Sequence, residues 1–221
     1  TDANELMTKF RKQIASVAPP QELKYAIQFI KDHPESPVSA YLLNRYLIQT
    51  GSPDYKLAVQ LLPLLIKEQP ENTTLSRLNR QIKDLGNVEI GRKLPHFTAK
   101  DVNGKAVNDA MYSNKNVAII NVWATWSYES LDIQRALNDA VKAGKIAALS
   151  VCVDANPKEV RQSLVRDDIQ FPNVCDGKML SSPLLKTFGL TMIPDNIVIR
   201  NGKVTERNIT ANTIRQRYGV E

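Results

Sequence analysis

The sequence has few of the residues that build metal or phosphate centres. Its 221 residues include two histidines and two cysteines, and these are well separated along the chain. His and Cys alone therefore cannot assemble a metal-ligand cluster. A glycine-rich phosphate loop is also missing. We therefore expect neither a metal site nor a cofactor.

Long apolar runs and runs of one charge are missing too. No apolar stretch reaches the ~20 residues needed to span a bilayer, so no transmembrane segment is expected. The net charge is +6, but lysine and arginine are dispersed, and nucleic-acid binding is not indicated. The chain begins at Thr1 rather than at Met, so we expect a mature or trimmed product, with any targeting segment lying outside it.

The chain does contain 43% hydrophobic residues, enough for a globular core. In residues 1–86, apolar positions recur at three- and four-residue spacing, and glycine, proline and capping residues separate these segments. This pattern predicts an all-α region. The predicted helices are 3–17, 21–32, 37–50, 53–68 and 73–85. The predicted N-caps are Ser36, Ser52 and Asn72, and the predicted helix stops are Gly51 and Gly86.

A weak repeat of 35 to 36 residues runs through this helical region. Residues 31–36 (Lys-Asp-His-Pro-Glu-Ser) are echoed by residues 67–72 (Lys-Glu-Gln-Pro-Glu-Asn), and Leu-Asn-Arg occurs at both 43–45 and 78–80. The period is close to the ~34 residues of tetratricopeptide-type helix pairs. Two copies are too few for a free-standing solenoid. A small helical bundle is therefore the favoured interpretation, and a peptide-binding repeat is the alternative.

Residues 87–221 show a different pattern, in which buried strands alternate with helices. The predicted strands are 97–101, 105–107, 117–122, 146–154, 171–176, 196–200 and 203–208, with Asn-Gly hairpin turns at 103–104 and 201–202. The predicted helices are 127–140, 157–166 and 183–188, and a last one, capped by Asn212, that runs to Tyr218. This order predicts an α/β domain with a central mixed sheet flanked by helices.

The strand at 117–122 ends in Trp123-Ala124-Thr125-Trp126, at the sheet edge where α/β proteins build sites. This turn resembles that of the TlpA/ResA-like thiol-disulfide oxidoreductases, which carry W-C-x-x-C after such a strand. The segments Ile90–Phe97 (I-G-x-x-x-P-x-F) and Ile193-Pro194 extend the resemblance over about residues 90–218. It implies a thioredoxin-like fold and a periplasmic or cell-envelope location.

The resemblance also implies where the site lies. Its positions are Trp126, Ser127, Tyr128, Glu129, Ser130, Ile193 and Pro194. In the family, the proline at the position of Pro194 is cis and faces the turn. The residue before it, here Ile193, presents backbone groups to an extended substrate.

This sequence departs from the family pattern in its chemistry. Both cysteine positions are serine, Ser127 and Ser130, and a hydroxyl cannot form a disulfide. Glu129 stands where many relatives have proline, and Ile133 stands where ResA-like proteins place a carboxylate, with Asp132 one residue early. These losses predict a degenerate, redox-inactive site. A C-x-x-C protein in which serines were introduced by engineering would explain only the two serines.

Cys152 and Cys175 are the two thiols in the chain. They lie near the ends of two segments that the fold makes parallel neighbours, so their Cα atoms are expected near disulfide range. Buried structural thiols are the favoured interpretation, because free cysteines are among the most buried residues. A functional pair is the alternative, and a cell-envelope location would favour a structural bridge.

The favoured function is binding of a peptide or protein partner. Trp123 is expected in the core and Trp126 in an exposed apolar lip, which beside Ile193-Pro194 can hold an extended peptide. Serine hydrolysis is not favoured, because no histidine lies near the two serines in the sequence. The fold would have to place His96 beside them as the base. The alternatives are an active thiol-disulfide oxidoreductase or thiol peroxidase-like enzyme, either with its native C-x-x-C replaced or acting through the two cysteines, and an interaction protein in which residues 1–86 do the binding.

Overall fold

The computed structural model of the chain describes residues 2–86, 89–190 and 192–219. The chain divides into two units, Thr1–Gly86 and Asn87–Glu221. Each unit has its own cluster of buried apolar side chains. Asn87 and Val88, at the predicted boundary between the two regions, lie outside the described residues.

The amino-terminal unit is built from helices whose apolar faces meet in one core. They are α1 (Asp2–Ile14), α2 (Pro19–Asp32), α3 (Pro37–Leu43), α4 (Tyr55–Glu68) and α5 (Thr73–Gly86). Ile30, Leu43 and Leu65 are among the fully buried residues of this core. The Ser36 side chain accepts from the Val38 N–H, and the Asn72 side chain accepts from the first turn of α5, so both predicted caps are confirmed.

Two predicted boundaries in this unit are wrong. The helix expected over 37–50 gives way at Asn44 to a π-helical turn, Asn44–Ile48, which ends at Gln49 and not at Gly51. The next helix is capped by Asp54, whose carboxylate accepts from the Leu57 N–H at 2.9 Å, and not by Ser52. Asp54 lies two residues after Ser52, and its carboxylate accepts from an N–H group of the first turn. For this reason α4 starts later than predicted.

The two echoed segments have closely similar connector geometry. His33 ends α2 with φ −131° and ψ 56°, and Gln69 ends α4 with φ −131° and ψ 60°. The Gln69 side chain also donates to the main-chain oxygens of Pro34 and Ser36, at 2.6 and 2.9 Å. Hydrogen bonds therefore join the segment after α4 directly to the segment after α2. A common repeat ancestry for the two helix pairs stays a prediction.

The second unit contains a small ribbon and a five-stranded sheet. The ribbon pairs β1 (Thr98–Lys100) with β2 (Ala106–Asn108). The sheet consists of β3 (Val117–Trp123), β4 (Ala147–Cys152), β5 (Asn173–Val174), β6 (Asp195–Arg200) and β7 (Lys203–Arg207). Its order is β5-β4-β3-β6-β7, in which β3, β4 and β5 run parallel and β6 and β7 are antiparallel. The helices are α6 (Ala110–Ser113), α7 (Tyr128–Lys142), α8 (Pro157–Arg166), α9 (Pro183–Thr187) and α10 (Ala211–Tyr218).

The central strand β3 is buried on both faces, which explains its continuous apolar sequence. Ile120 and Val122 pack on one face in a cluster that includes Phe188, while Ile119 packs on the other face against Leu137 of α7. Because β3 and β4 are parallel, their carboxyl ends open at the same edge of the sheet. The turn after Trp123 therefore lies beside the end of β4.

Both predicted hairpins form, one with a two-residue turn and the other with a longer loop. Asn201 and Gly202 join β6 to β7 with φ of 48° and 76°, as a two-residue turn requires. The ribbon instead closes through a wider loop, because the Asp101 carboxylate accepts from the main-chain N–H groups of Asn103 and Lys105. The predicted Asn212 cap is wrong, since Thr210 accepts from the Thr213 N–H one turn into α10.

Candidate functional site

The predicted site turn connects β3 to α7, and Ser127 is the N-cap of that helix. Its N–H donates to the Ala124 oxygen at 3.2 Å, and its side-chain oxygen accepts from the Ser130 N–H at 3.2 Å. The positive end of the helix dipole lies at this position, where a cysteine would have a lowered pKa. Ser127 keeps the position and uses its hydroxyl to cap the helix.

Ser130, the second serine of the motif, lies in the first turn of α7 and is fully buried. Among the described residues its hydroxyl oxygen has no hydrogen-bond partner. A buried hydroxyl without a partner contributes little to stability or costs free energy. The Ser127 and Ser130 hydroxyls therefore lie in different environments, one a helix cap and the other a buried group that the fold does not use.

The two tryptophans of the turn have the predicted environments. Trp123 is buried among Cys152, Val160 and other apolar side chains. Trp126 is 70% exposed and Tyr128 is 83% exposed. Exposed aromatic side chains of this size are common at binding surfaces. The turn therefore presents an aromatic surface directly before and after Ser127.

The Ile193-Pro194 peptide bond is cis. The next residue, Asp195, pairs with Val122 in the β6–β3 ladder, so Pro194 lies at the end of β3 from which the site turn departs. Met192, just before this pair, is 36% exposed and adds apolar surface. The preceding Thr191 lies outside the described residues.

A buried ion pair anchors the chain directly after Pro194. The Arg207 guanidinium lies 2.8 Å from an Asp195 carboxylate oxygen and also donates to the main-chain oxygen of Gly189. Both charged side chains are almost fully buried. A buried pair of this kind holds its geometry strongly, because removing one partner leaves a charge without solvation. The ion pair fixes the start of β6 beside the turn.

Asp154 ties the turn to the end of β4, a role that the sequence interpretation did not assign. Its carboxylate accepts from the Thr125 N–H at 3.0 Å and from the Thr125 hydroxyl. The Cys152 thiol lies 3.4 Å from the same carboxylate, and the Cys175 thiol donates to the Asp154 main-chain oxygen at 3.3 Å. The available signal was an acidic residue at the end of an apolar strand pattern.

A buried polar network lies beneath α7, on the face of the sheet that also carries the Cys152 side chain. The Ser150 hydroxyl donates to the Gln134 side-chain oxygen at 2.5 Å, and the Gln134 amide donates to Asn173 at 2.8 Å. Asn121 approaches Ser150 at 3.4 Å. These four side chains link β3, β4 and β5 to the helix. Sequence interpretation missed them because polar residues in apolar strand patterns carry no periodic signal.

The carboxylate of the ResA-like pattern has no equivalent at Ile133 in the described structure. Ile133 is buried in the apolar cluster with Ile119. Asp132 lies on another face of α7, where it pairs with Arg215 of α10. The hydrogen bond from Arg215 holds the pKa of Asp132 below its usual range. No acid is therefore supplied to the turn by either position.

His96 is not placed to activate either serine. Its ring pairs with Asp109 at 2.8 Å. Leu94, two residues earlier, bonds to Gly202 beside the amino-terminal end of β3. Because strands rise about 3.3 Å per residue, that end lies roughly 20 Å from the site turn. Nucleophilic chemistry at Ser127 therefore has no base from His96.

Cys152 is the last residue of β4, and Cys175 directly follows β5, the parallel neighbour of β4. Val151 and Val174, the residues just before them, are register partners. Cys152 is buried and Cys175 is partly exposed, and both are free thiols. Interaction with the Cys152 thiol lowers the pKa of Cys175 to about 7, with help from the Gly177 N–H, while the same interaction and burial raise the pKa of Cys152.

Within the described residues, no three His, Cys, Asp or Glu side chains are grouped so that they could bind a metal ion. None of the helices in that part of the chain has the length and apolar character needed to cross a bilayer.

Comparisons with known proteins agree with this geometry. No family model matches the chain. The chain is 24% identical over 123 residues to the thiol-disulfide oxidoreductase ResA of Bacillus thuringiensis subsp. konkukian, covering 54% of this chain and 69% of the relative. It is also 24% identical over 140 residues to a ResA of Bacillus cereus, covering 62% of this chain and 79% of that relative.

Two solved structures share the fold of the second unit. One is the C-terminal domain of a protein assigned as a thiol-disulfide oxidoreductase from Bacteroides thetaiotaomicron, with a TM-score of 0.50 and 23% identity over 59% of this chain and 94% of that one. The other is the thioredoxin domain of a thiol-disulfide oxidoreductase from Bacteroides vulgatus, with a TM-score of 0.50 and 17% identity over 59% and 98%. Both support a thioredoxin-like fold.

Proposed function

Because the chain belongs to the ResA-like family of thiol-disulfide oxidoreductases, we propose that its site has lost dithiol exchange and now binds an extended peptide segment of a partner protein. The observation that carries the proposal is the exposed aromatic pair Trp126 and Tyr128 around a turn without thiols. Aromatic side chains that are kept in water by a rigid turn are typical anchors of binding surfaces.

The geometry around the turn supports an extended ligand. Ser127 is held as the helix cap, and the Asp154 carboxylate fixes Thr125 from below, so Trp126 projects from a rigid backbone. Pro194 and the apolar Met192 lie at the same end of β3. A peptide on this surface would pair with main-chain groups before Pro194 and bury its side chains against the aromatic residues.

The proposed location is the periplasm or cell envelope, and it rests on the family alone. An extended segment of a partner in that compartment is the proposed ligand.

Binding is tested with an unfolded peptide that has no thiols, the alkylated B chain of insulin. We expect Trp126→Ala to weaken its affinity at least about tenfold, because a buried aromatic anchor contributes more than ~1.4 kcal/mol. Val165→Ala is the matched control, since Val165 is an equally exposed apolar side chain on α8. Equal affinities for the two variants would contradict the proposed surface.

Loss of dithiol exchange with protein substrates is tested separately. The unmodified chain, supplied with dithiothreitol, should reduce intact insulin at the uncatalysed rate. Ser127 and Ser130 cannot form the mixed disulfide that exchange requires. Clear catalysis of insulin reduction would mean that the chain is an active oxidoreductase.

A further inference from the structure

The strand register places the two cysteines side by side. Val151 and Val174 are partners in the parallel β4–β5 ladder and both pack in the same core cluster. Side chains alternate between the faces of a sheet, so Cys152 and Cys175 project together from the opposite face. Cys152 packs there with Trp123 and Val160, and Cys175 packs against the same cluster. Adjacent strands lie about 4.8 Å apart, within the Cα separation that a disulfide spans.

The two thiols differ in access to solvent. Cys152 is 1% exposed, whereas Cys175 is partly exposed and lines an open cavity of about 580 Å³. The cavity lies between the β1–β2 ribbon, the start of α8 and the segment after β5. A space of this size is typical of small-molecule sites.

Charged side chains are part of the lining of this cavity. Its lining includes three cations, Lys100, Arg161 and Lys178, and two carboxylates, Asp101 and Asp176. Both carboxylates already accept hydrogen bonds within their own loops, Asp101 from main-chain N–H groups and Asp176 from the Ser182 hydroxyl. Arg161 in turn donates to the main-chain oxygen of Val102. Three cations against two carboxylates give the lining a net positive charge, which favours a ligand that carries carboxylates.

We propose that Cys152 and Cys175 form a second thiol-disulfide centre of the chain, which exchanges with small carboxylate-bearing disulfides entering the cavity beside Cys175. In this centre, Cys175 is the attacking thiol and Cys152 is the resolving thiol. The lowered pKa of Cys175 agrees with this assignment, as does the Gly177 N–H that stabilises its sulfur.

The exchange balances in two steps. The Cys175 thiolate attacks one sulfur of the external disulfide, breaks its S–S bond and releases one external thiolate. Cys152 then loses its proton and attacks the Cys175 sulfur, which releases the second external thiol. Two thiols of the chain are oxidised to one disulfide, and one external disulfide is reduced to two thiols. An external dithiol such as dithiothreitol reverses both steps.

The test uses the reduced, folded chain and the chromogenic disulfide 5,5′-dithiobis(2-nitrobenzoate). The wild-type chain should release two thionitrobenzoate ions per molecule and lose two hydrogens by intact mass, without retaining the reagent. Cys152→Ser should release one ion and retain a mixed disulfide on Cys175. Cys175→Ser should react only after unfolding, because Cys152 is buried.

Several outcomes would overturn the proposal. These are a wild-type chain that reacts only in denaturant, a Cys175→Ser variant that reacts as fast as the wild type, or a native disulfide that excess dithiothreitol does not reduce, which would mark a structural bridge. Oxidised glutathione, a natural carboxylate-bearing disulfide, should oxidise the chain in the same way, and its failure to do so would contradict the ligand class. Circular dichroism of each variant shows whether it is folded.

The centre and the proposed peptide surface use different side chains, and Asp154 contacts both Cys152 and Thr125 of the turn. Cys175 lines a cavity that does not include the exposed ring of Trp126. Failure of the thiol experiment therefore leaves the peptide-binding result unchanged, and failure of peptide binding leaves the thiol result unchanged.

Discussion

At the scale of single residues, the two serines of the motif do different work. The Ser127 hydroxyl accepts a main-chain N–H and caps α7. The buried Ser130 hydroxyl has no partner among the described residues. A hydroxyl at a helix N-cap stabilises the helix, whereas an unpaired buried hydroxyl does not. The two positions should therefore respond oppositely to removal of the oxygen.

Alanine substitution tests this difference. Ser127→Ala should lower the free energy of unfolding by about 1 kcal/mol, the usual cost of losing an N-cap. Ser130→Ala should leave it unchanged or raise it slightly, since no hydrogen bond is lost. Urea unfolding of both variants measures the two effects. A larger loss for Ser130→Ala would show that its hydroxyl has a partner in solution.

Two of the helix caps predicted from the sequence are confirmed and two are wrong. Ser36 and Asn72 were correctly predicted as caps. Ser52 was wrong because Asp54 lies two residues further on, and Asn212 was wrong because Thr210 lies two residues earlier. Both residues of each of the last two pairs are of types that cap helices well. Local preference therefore cannot choose between such near neighbours. The choice is made by where the helix packs.

At the scale of elements, β3 and the turn after it could be predicted, but their supports could not. The strand was visible as an apolar run because both of its faces are buried. The link from Thr125 to Asp154 joins residues 29 positions apart. The buried pair of Asp195 and Arg207 joins two strands of a hairpin. Contacts of this kind depend on strand order and register, which an apolar pattern does not contain.

The same limit explains the two Asn-Gly turns. Asn201-Gly202 forms the predicted tight turn between β6 and β7. Asn103-Gly104 lies in a wider loop, because the side chain of Asp101 accepts two main-chain N–H groups that a tight hairpin would bond otherwise. An Asx-type bond of this kind competes with the turn dipeptide.

Because Ser127 is the N-cap of α7 and Ser130 lies in its first turn, cysteines at these two positions should form a disulfide. In the Cys152→Ser/Cys175→Ser background, Ser127→Cys with Ser130→Cys should form a 127–130 disulfide and catalyse insulin reduction. The helix dipole at position 127 favours the thiolate. The rate should stay low, because Ile133 supplies no acid.

The single variants are the controls for this experiment. Ser127→Cys alone should form only mixed disulfides, and Ser130→Cys alone should resist labelling because position 130 is buried. Thiol titration and intact mass report both results. A folded double variant without the intramolecular disulfide would show that the turn does not hold positions 127 and 130 in disulfide geometry.

At the scale of the whole molecule, each unit carries its own core. The buried cluster of the first unit runs from Phe10 to Ile82. The clusters of the second unit draw only on residues from Leu94 to Tyr218. Both functional proposals use residues of the second unit alone. This separation makes the rival interpretation, in which residues 1–86 bind the partner, open to a direct test.

Deletion of residues 1–86 decides between these interpretations. The remaining chain, residues 87–221, should fold, because its clusters contain no side chain from the deleted part. It should bind the alkylated insulin B chain with unchanged affinity and lose that affinity about tenfold on Trp126→Ala. Circular dichroism and a cooperative urea transition establish that the fragment is folded. A folded fragment that no longer binds would assign the partner surface to the helices of the first unit, and a fragment of residues 1–86 that binds the same peptide would confirm that assignment.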